Sequence, residues 1–292
     1  MKPAGALAIL LVLLAGIAIT AHLSTTDLEF SRYNAGWTGT SGFFSDLERR
    51  GARDLGSYDD LVGRSDTTLL LIAPNGSFSP GEIARVREFL REGNNTVFVA
   101  DETGESESLL AGLSSRVRVR PGAVCSAEME FWDYYTVIAY PRGSDPLIAN
   151  VSSLTFNRPS SVTGGEVLVA TTLISWVDVN DNYHLDENET LSSYGLLARE
   201  RVGNGTLYVL SDPSLCINGM RNARLSGDNG VFLAQLLSLH PDLLVEQTHS
   251  LTGRADPVLA AVLWVKKTTI ITISALIGSV LLVAVAFWRR WI

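Results

Sequence analysis

The sequence predicts an α/β domain with a mostly parallel sheet, held between two apolar ends. Continuous apolar runs such as "TTLLLIAP" (67–74) are typical of strands buried on both faces. A capped amphipathic helix follows that run and leads to a second one, "TVFVAD" (96–101), which is the order of a parallel crossover unit. Finally, residues 4–20 and 268–287 are uncharged, and each run is about as long as a bilayer-crossing helix, roughly 20 residues. We therefore predict three parts: an N-terminal anchor (1–23), an α/β domain (24–265) and a C-terminal transmembrane helix with a short tail (266–292).

The first helix of the domain is predicted from "GTSGFFSDLERR". Thr40 and Ser41 form a polar turn before one apolar face made by Phe43, Phe44 and Leu47.

The second helix carries the clearest local signals. Ser79 is the predicted N-cap, Pro80 stands at the first helical position and Glu82 completes a capping box. Gly93 is predicted to end the helix. The apolar stripe of this helix consists of Ile83, Val86, Phe89 and Leu90.

The later elements follow from shorter patterns. "SESLLAGL" predicts a short helix, and Asn204-Gly205 predicts a two-residue hairpin turn. Asp228 is the predicted cap of a helix over 228–239. Further strands are predicted at 116–120, 135–140 and 165–179.

The apolar ends predict a two-pass cell-membrane protein that contacts lipid through two helices. Lys2, Arg289 and Arg290 favour cytoplasmic termini and an external domain, whereas Lys266 and Lys267 favour the reverse; a domain this long crosses largely regardless of charge. The first run is also compatible with a cleavable signal peptide. Five N-x-[ST] sequons agree with an external domain: Asn75, Asn94, Asn150, Asn188 and Asn204.

The charge of the middle region argues against two classes of partner. Without Lys2, Arg289 and Arg290, 20 basic residues (23 − 3) face 31 acidic ones, which leaves −11. A surface of this sign does not favour nucleic acid, which binds through Lys and Arg, or an anionic lipid surface.

Three segments in order carry a resemblance to a known family: "SRYNAGWTGTSGFF", "LLLIAP…FSPGEIARVREFLREGNNTVFVADETG" and "LYVLSDPSLCINGM…DNGVFLAQLL". Over about residues 27–250 the chain resembles the domain of unknown function 4350 family. The resemblance implies a membrane-anchored, three-layer flavodoxin-like domain of the class I glutamine-amidotransferase type. It also suggests an envelope protein complex or a transporter as a partner, by relationship to external domains of gliding-type ABC-transporter accessory proteins.

The resemblance does not supply a reaction. A catalytic amidotransferase would hold a Cys nucleophile after "VFVA", where this chain has Asp101, Glu102, Thr103 and Gly104, and the expected His-x-Glu pair is absent from the sequence. We therefore expect a non-catalytic, membrane-tethered binding or accessory module. The alternatives are a cell-envelope hydrolase or transferase that uses carboxylates at the sheet edge, and a solute-sensing domain.

Ligands of open parallel sheets bind beyond the carboxyl ends of the strands. The short polar side chains expected there can bind a small polar molecule or a peptide end, or can simply cap helices and turns. These residues are Asn34, Thr40, Ser41, Asp101, Glu102, Asp212 and Asp228.

The stretch "DVNDNYHLDENE" (178–189) matches the spacing of a calcium loop. Five positions supply side-chain oxygens and His184 supplies a backbone carbonyl; calcium accepts six to eight such oxygens. Tyr183 stands where the template has Gly, so a solvated acidic turn is the alternative, and glycosylation at Asn188 would compete with the ion. The predicted ligands are Asp178, Asn180, Asn182, His184, Asp186 and Glu189.

Cys125 and Cys216 are the only two cysteines of the chain. In an oxidising compartment they can form a disulfide; two unpaired buried thiols are the alternative.

Overall fold

A computed structural model describes residues 24–128, 133–221 and 227–267. These residues form a mixed α/β fold with thirteen strands, five α-helices and five short 3-10 helices. The α-helices are α1 (Ser41–Arg49), α2 (Pro80–Arg91), α3 (Glu107–Gly112), α4 (Asn229–Leu236) and α5 (Pro257–Lys267). The strands are β1 (Arg53–Asp54), β2 (Thr67–Ile72), β3 (Thr96–Ala100), β4 (Arg118–Arg120), β5 (Ala123–Ser126), β6 (Thr136–Pro141), β7 (Leu154–Asn157), β8 (Ser161–Thr163), β9 (Glu166–Ala170), β10 (Ser175–Asp178), β11 (Gly195–Val202), β12 (Gly205–Leu210) and β13 (Asp242–Val245).

One half of the main sheet is parallel. Its strand order is β1-β13-β2-β3-β12, and all four neighbouring pairs run parallel. Every residue of β2 and β3 is buried, because α1 and α4 cover one face and α2 and α3 cover the other. Leu70 and Phe98 pack in the core on the side of α1 and α4. Leu71 and Val99 pack in the core on the side of α2 and α3.

The prediction of a mostly parallel sheet is wrong for the other half. From β12 onward the order continues β11-β9-β6-β7, and each of these pairs is antiparallel, as are the side strands β8 and β4. The reversal starts at a two-residue turn, which can join only antiparallel strands. Val202 pairs with Gly205, so the turn is Gly203-Asn204, one residue before the predicted Asn204-Gly205.

The local signals of the first two helices are confirmed. Ser79 Oγ accepts the Glu82 N–H at 3.4 Å, and Glu82 Oε2 accepts the Ser79 N–H at 2.7 Å, which is the predicted capping box of α2. Helix α1 begins at Ser41 and buries Phe43, Phe44 and Leu47, as its apolar spacing predicts.

The single strand predicted over 165–179 is wrong. Strand β9 pairs in the main sheet, whereas β10 pairs with β5 in a separate two-stranded sheet. The link between them leaves the sheet, and its Leu173 side chain is 73% exposed. A β-rich composition cannot show this break, because both halves favour extended backbone.

The flanking transmembrane helices of the predicted fold also require correction. Within the described residues, no helix combines the length and the apolar character that crossing a bilayer requires. The longest, α2, has 12 residues and spans about 18 Å at 1.5 Å per residue, well short of a hydrocarbon core of about 30 Å. The predicted lipid contact through two helices and the two-pass membrane location are therefore not part of the described fold. Residues 4–20 and 268–287, on which those predictions depend, lie outside the described residues.

The Asn95 side chain joins the end of α2 to the start of β2. Its amide nitrogen lies 2.8–2.9 Å from the carbonyl oxygens of Arg64, Phe89 and Glu92, which share its two hydrogens. Its amide oxygen accepts the Thr67 N–H at 3.0 Å, and the residue is only 1% exposed. We predict that Asn95→Ala lowers the free energy of unfolding by about 2–4 kcal/mol, because buried backbone groups lose their partners.

Chemical denaturation monitored by circular dichroism measures this loss. The neighbouring Asn94→Gly is the control, since the Asn94 side chain is exposed and bonds the Asp66 carboxylate, and its φ of 55° is one that glycine adopts freely. Equal stability of Asn95→Ala and the control would contradict the prediction.

Candidate functional site

A cavity of about 420 Å³ lies beyond the carboxyl ends of β3 and β12. This is the edge where the strand order predicts a ligand crevice. We call this cavity the acidic crevice, because three carboxylates and one guanidinium line it. Its lining residues are Glu29, Glu102, Gly122, Ala123, Asn157, Arg158, Ser160, Asp181 and Ser214.

Asp101, the first residue after β3, has a structural role. Its carboxylate accepts hydrogen bonds from the backbone N–H of Thr103, Gly104 and Ser106 and from two hydroxyls, those of Thr103 and Ser106. The residue is 1% exposed. Five donors satisfy this carboxylate, so it shapes the loop that carries the next residue.

Glu102 is different, because none of the described residues donates a hydrogen bond to its carboxyl. The side chain is only partly exposed and lines the acidic crevice. Its pKa is raised to about 8, first by burial, then by the negative charge of Asp212 and, less, by Glu29 and Asp101; Arg158 opposes this. A carboxyl group in this setting is held protonated at neutral pH unless a cation joins it.

Asp212, after β12, lies behind the wall of the crevice. Its carboxylate is fully buried and accepts the backbone N–H groups of Asn157 at 2.7 Å and Ser214 at 2.6 Å. Burial raises the pKa of Asp212 to about 6, and these hydrogen bonds oppose that rise. Asp212 therefore acts on the crevice through its electric field and not by direct contact with a ligand.

Among the described residues, Arg158 is the one cation in the wall of the acidic crevice. Its φ is +58°, and its guanidinium bonds the Asp181 carboxylate at 2.7 Å while lying 5.2 Å from the centre of the Tyr135 ring. Both charged side chains are at least half exposed, so this ion pair adds little stability, about 0–1 kcal/mol.

The remaining predicted edge residues lie away from the crevice and bond other groups of the fold. Asn34 Oδ1 accepts the Gly36 N–H, and the Thr40 hydroxyl donates to the Phe30 carbonyl. Ser41 bonds Asn218, which organises the start of α1. Asp228 precedes α4 as predicted, yet its carboxylate accepts the Ser152 N–H and makes no cap bond to the helix.

The sequence missed the residues that enter the crevice from loops far along the chain. Glu29 precedes the first helix, and Arg158 and Ser160 follow β7, a strand that no pattern predicted. The one available signal was the short "NRPSS" segment, which places an arginine among turn residues.

The predicted calcium loop is closed by its own hydrogen bonds. The Asp178 carboxylate accepts the N–H groups of Asn182 and Tyr183 at 3.2 and 2.9 Å. Asn180 and Asn182 each donate a side-chain amide hydrogen to Asp186 Oδ2 at 2.8 Å.

Glu189 completes this ring from the end of the loop. Its carboxylate accepts the Val179 N–H at 2.8 Å and the Asp186 N–H at 3.1 Å. The His184 N–H donates to Asn182 Oδ1 at 2.9 Å. In the part of the chain that the structure describes, no group of three His, Cys, Asp or Glu side chains is placed to hold a metal ion.

Tyr183 adopts the backbone conformation for which the calcium-loop template has Gly at this position. Its φ is +69°, so the chain makes at this residue the left-handed turn that the calcium-loop template assigns to glycine. The Tyr183 ring packs edge-on against Tyr135 at 4.5 Å between centroids, and this contact offsets part of the backbone cost.

A family model described as a domain of unknown function (DUF4350) matches residues 32–237. The chain belongs to the DUF4350 family. No curated protein matches it. Among solved structures, a beta-galactosidase from Bacillus circulans sp. alkalophilus is similar at 13% identity and a TM-score of 0.41, over 67% of this chain and 26% of that one. A protein described as a GMP synthase subunit from Thermoplasma acidophilum is similar at 10% identity and a TM-score of 0.30, over 62% of this chain and 75% of that one. The chain thus spans about a quarter of the galactosidase.

In this DUF4350 chain both cysteines are free and buried. The predicted disulfide between Cys125 and Cys216 is absent: Cys125 lies on β5 opposite Trp176, and Cys216 packs into the main core from a 3-10 helix after β12. Burial raises the pKa of each thiol to about 12, which disfavours the thiolate that nucleophilic chemistry needs.

The pKa of Glu102 predicts how stability varies with pH in this DUF4350 domain. The folded protein keeps the Glu102 proton up to about pH 8, whereas the unfolded chain releases it near 4.5. Between these values the folded state binds more protons, so the free energy of unfolding should fall as pH rises; Asp212 adds to this fall between 3.8 and about 6.

Urea denaturation of wild type and Glu102→Gln at pH 5, 6, 7 and 8 tests this prediction. The variant should show the smaller fall with pH, because its amide never ionises. Glu105→Gln, an exposed acid of the same loop, should match wild type. Parallel pH profiles for Glu102→Gln and wild type would show that Glu102 titrates normally.

Proposed function

We propose that this DUF4350 chain is a non-catalytic binding domain whose acidic crevice holds a small organic cation, an aliphatic amine or a guanidine. The observation that carries the proposal is the Glu102 carboxyl, which lines the crevice without a donor from any described residue. Neighbouring Asp101 receives five hydrogen bonds. The half-buried Glu102 carboxyl is costly to ionise without a donor or a nearby positive charge, and a cationic ligand supplies both.

The charge of the crevice supports a cation. Among the described lining residues, Glu29 and Asp181 are acids beside the protonated Glu102, Arg158 is the one cation, and buried Asp212 adds its field from behind the wall. A bound ammonium or guanidinium would lower the pKa of Glu102, since an opposite charge within a few ångströms favours the ionised carboxylate. Binding would therefore release a proton at neutral pH.

Binding is favoured over hydrolysis or group transfer by the roles of the edge carboxylates. Acid–base chemistry needs two carboxyl groups that both reach the substrate. Asp101 is saturated by donors of its own loop, and Asp212 is fully buried behind the wall. Glu102 is thus left without a catalytic partner among the acids predicted for this role.

We also propose that the fold is of the glutamine-amidotransferase type. In that case Asp101 and Glu102 occupy the corner that holds the catalytic thiol in such enzymes. A carboxyl group of raised pKa in place of the nucleophile agrees with a binding role for the same corner.

Calorimetric titration of the full chain with 1,4-diaminobutane tests the proposed ligand class. We expect the association constant to rise about tenfold from pH 6 to pH 7 and to level off above pH 8, because Glu102 must lose its proton to bind the cation. Glu102→Gln should bind more weakly and without this pH dependence.

Two controls accompany the titration. The neutral 1,4-butanediol has the same length without charge and should give no binding heat, and Glu105→Gln should behave as wild type. The proposal fails if the diamine does not bind, if the diol binds as tightly, or if Glu102→Gln keeps the pH-dependent affinity of wild type.

We propose further that calcium stabilises the loop 178–189. Asp178, Asp186 and Glu189 bring three negative charges into one loop, and the two Asn side-chain amides now act as the positive partners of Asp186. A divalent cation would take over this role with oxygen ligands from Asp178, Asn180, Asn182, Asp186 and Glu189 and the carbonyl of His184. The left-handed turn at Tyr183 supplies the sharp bend that a calcium loop needs at its sixth position.

Calcium should therefore raise the melting temperature of the chain. An ion that binds only the folded state contributes about 2.7 kcal/mol at a concentration one hundred times its Kd. Glu189→Gln should lose most of this rise, because Glu189 is the bidentate position of the template. Scanning calorimetry with calcium chloride, magnesium chloride and chelator measures the effect.

The loop itself offers a matched control. Glu187→Gln removes the same charge at a position that the template does not use, so the calcium effect should remain. The absence of any calcium-dependent shift in wild type, or an equal loss in the two variants, would refute a specific site.

A further inference from the structure

A second cavity, of about 370 Å³, lies between α1 and α4 and has a wall of the opposite sign. Three arginines and one aspartate contribute a charge of +2 (3 − 1), in a chain whose net charge is −8. We call it the arginine cavity. Its lining residues are Asp46, Arg49, Arg50, Arg221, Gly230, Leu233, Ala234 and Leu237.

The three guanidinium groups are only partly neutralised. Among the described carboxylates, Asp46 bonds both Arg49 and Arg221. Arg50 donates to the Leu237 carbonyl at 3.0 Å and to the Ser238 hydroxyl at 2.9 Å, and no described carboxylate pairs with it. Like charges held together repel one another, so this wall favours an added anion.

Two helical glycines give this cavity its shape. A Cβ at Gly42 would collide with Nη1 of Arg221, so glycine makes room for that guanidinium across α1. A Cβ at Gly230 would meet no atom within 4 Å, because this residue faces the open cavity. Both glycines stand in the first turn of their helices, and the space left at Gly230 belongs to the cavity.

The floor of the cavity is apolar. Leu233 and Leu237 are each 4% exposed, and Ala234 lies beside them on α4. A ligand that fits both parts of the wall has an oxyanion at one end and an apolar group at the other.

We propose that the arginine cavity binds a small organic phosphate ester, with its phosphate on Arg49, Arg50 and Arg221 and its apolar group on Leu233 and Leu237. A phosphate monoester carries about −1.5 to −2 at neutral pH, which matches the +2 wall, and the planar guanidinium fork binds phosphate oxygens in pairs. This site is separate from the acidic crevice and does not depend on the function proposed for it.

Titration of the full chain with phenyl phosphate, followed by calorimetry, tests the site. Inorganic phosphate shares only the anion and phenol only the apolar group, so both should bind at least tenfold more weakly. Arg49→Gln should weaken phenyl phosphate about tenfold through the loss of a charge-assisted contact. Arg116→Gln is the control, since its side chain is 79% exposed, against 75% for Arg49.

A second variant separates filling of the cavity from loss of charge. Gly230→Leu should abolish phenyl phosphate binding and leave the melting temperature at or above that of wild type, because the new side chain enters open space. Gly81→Leu changes the same position of α2, where only Ser79 Oγ lies within 4.0 Å, and should bind as wild type.

Three outcomes would overturn the site. They are no binding of phenyl phosphate, wild-type affinity in both Arg49→Gln and Gly230→Leu, and equal affinity for inorganic phosphate. Vesicles containing phosphatidic acid form the last arm. If the chain sediments with these vesicles but does not bind phenyl phosphate, the arginines bind a lipid headgroup, and the proposal is also overturned.

Discussion

The parallel pairing of β3 with β12 is the constraint on which the site depends. Ala100 stands opposite Leu210 at the ends of the two strands, and the Asp101 N–H continues the ladder to the Leu210 carbonyl at 2.9 Å. Because parallel strands end at the same edge, the residues that follow them leave the sheet side by side. Two acidic segments far apart in the chain thereby share one poorly solvated corner.

The supply of hydrogen-bond donors at that corner is uneven, and this decides which acid is available to a ligand. Asp101 receives five donors and Asp212 two backbone N–H groups, so both are fixed parts of the fold. Their charges remain, however, and act on Glu102, which has no described donor of its own. The repulsion among these three acids therefore contributes to the raised pKa of Glu102, the carboxyl that faces the crevice.

Local signals in the sequence predicted local structure well, and non-local structure poorly. The Ser79–Glu82 capping box could be predicted because its partners lie three residues apart. The break after Ala170 could not, since it depends on β5, a strand from elsewhere in the chain, pairing with β10. The same limit applies to the site. The rule that ligands bind beyond the carboxyl ends of parallel strands predicted Asp101, Glu102 and Asp212. Glu29 and Arg158 reach the crevice through tertiary contacts that residue spacing in the sequence does not indicate.

Arg158 makes the acidic crevice and the loop 178–189 one electrostatic unit. It lowers the pKa of Glu102 from one side and bonds Asp181 of the loop on the other. Asp181 stands at the fourth position of the calcium template, which supplies no ligand, so an ion in the loop would leave this bond intact. Tyr183, whose left-handed turn shapes the loop, packs on the same Tyr135 ring that lies beneath Arg158. The loop therefore contacts Arg158, the cation among the described residues of the crevice wall, both through Asp181 and through the Tyr135 ring that Tyr183 packs against.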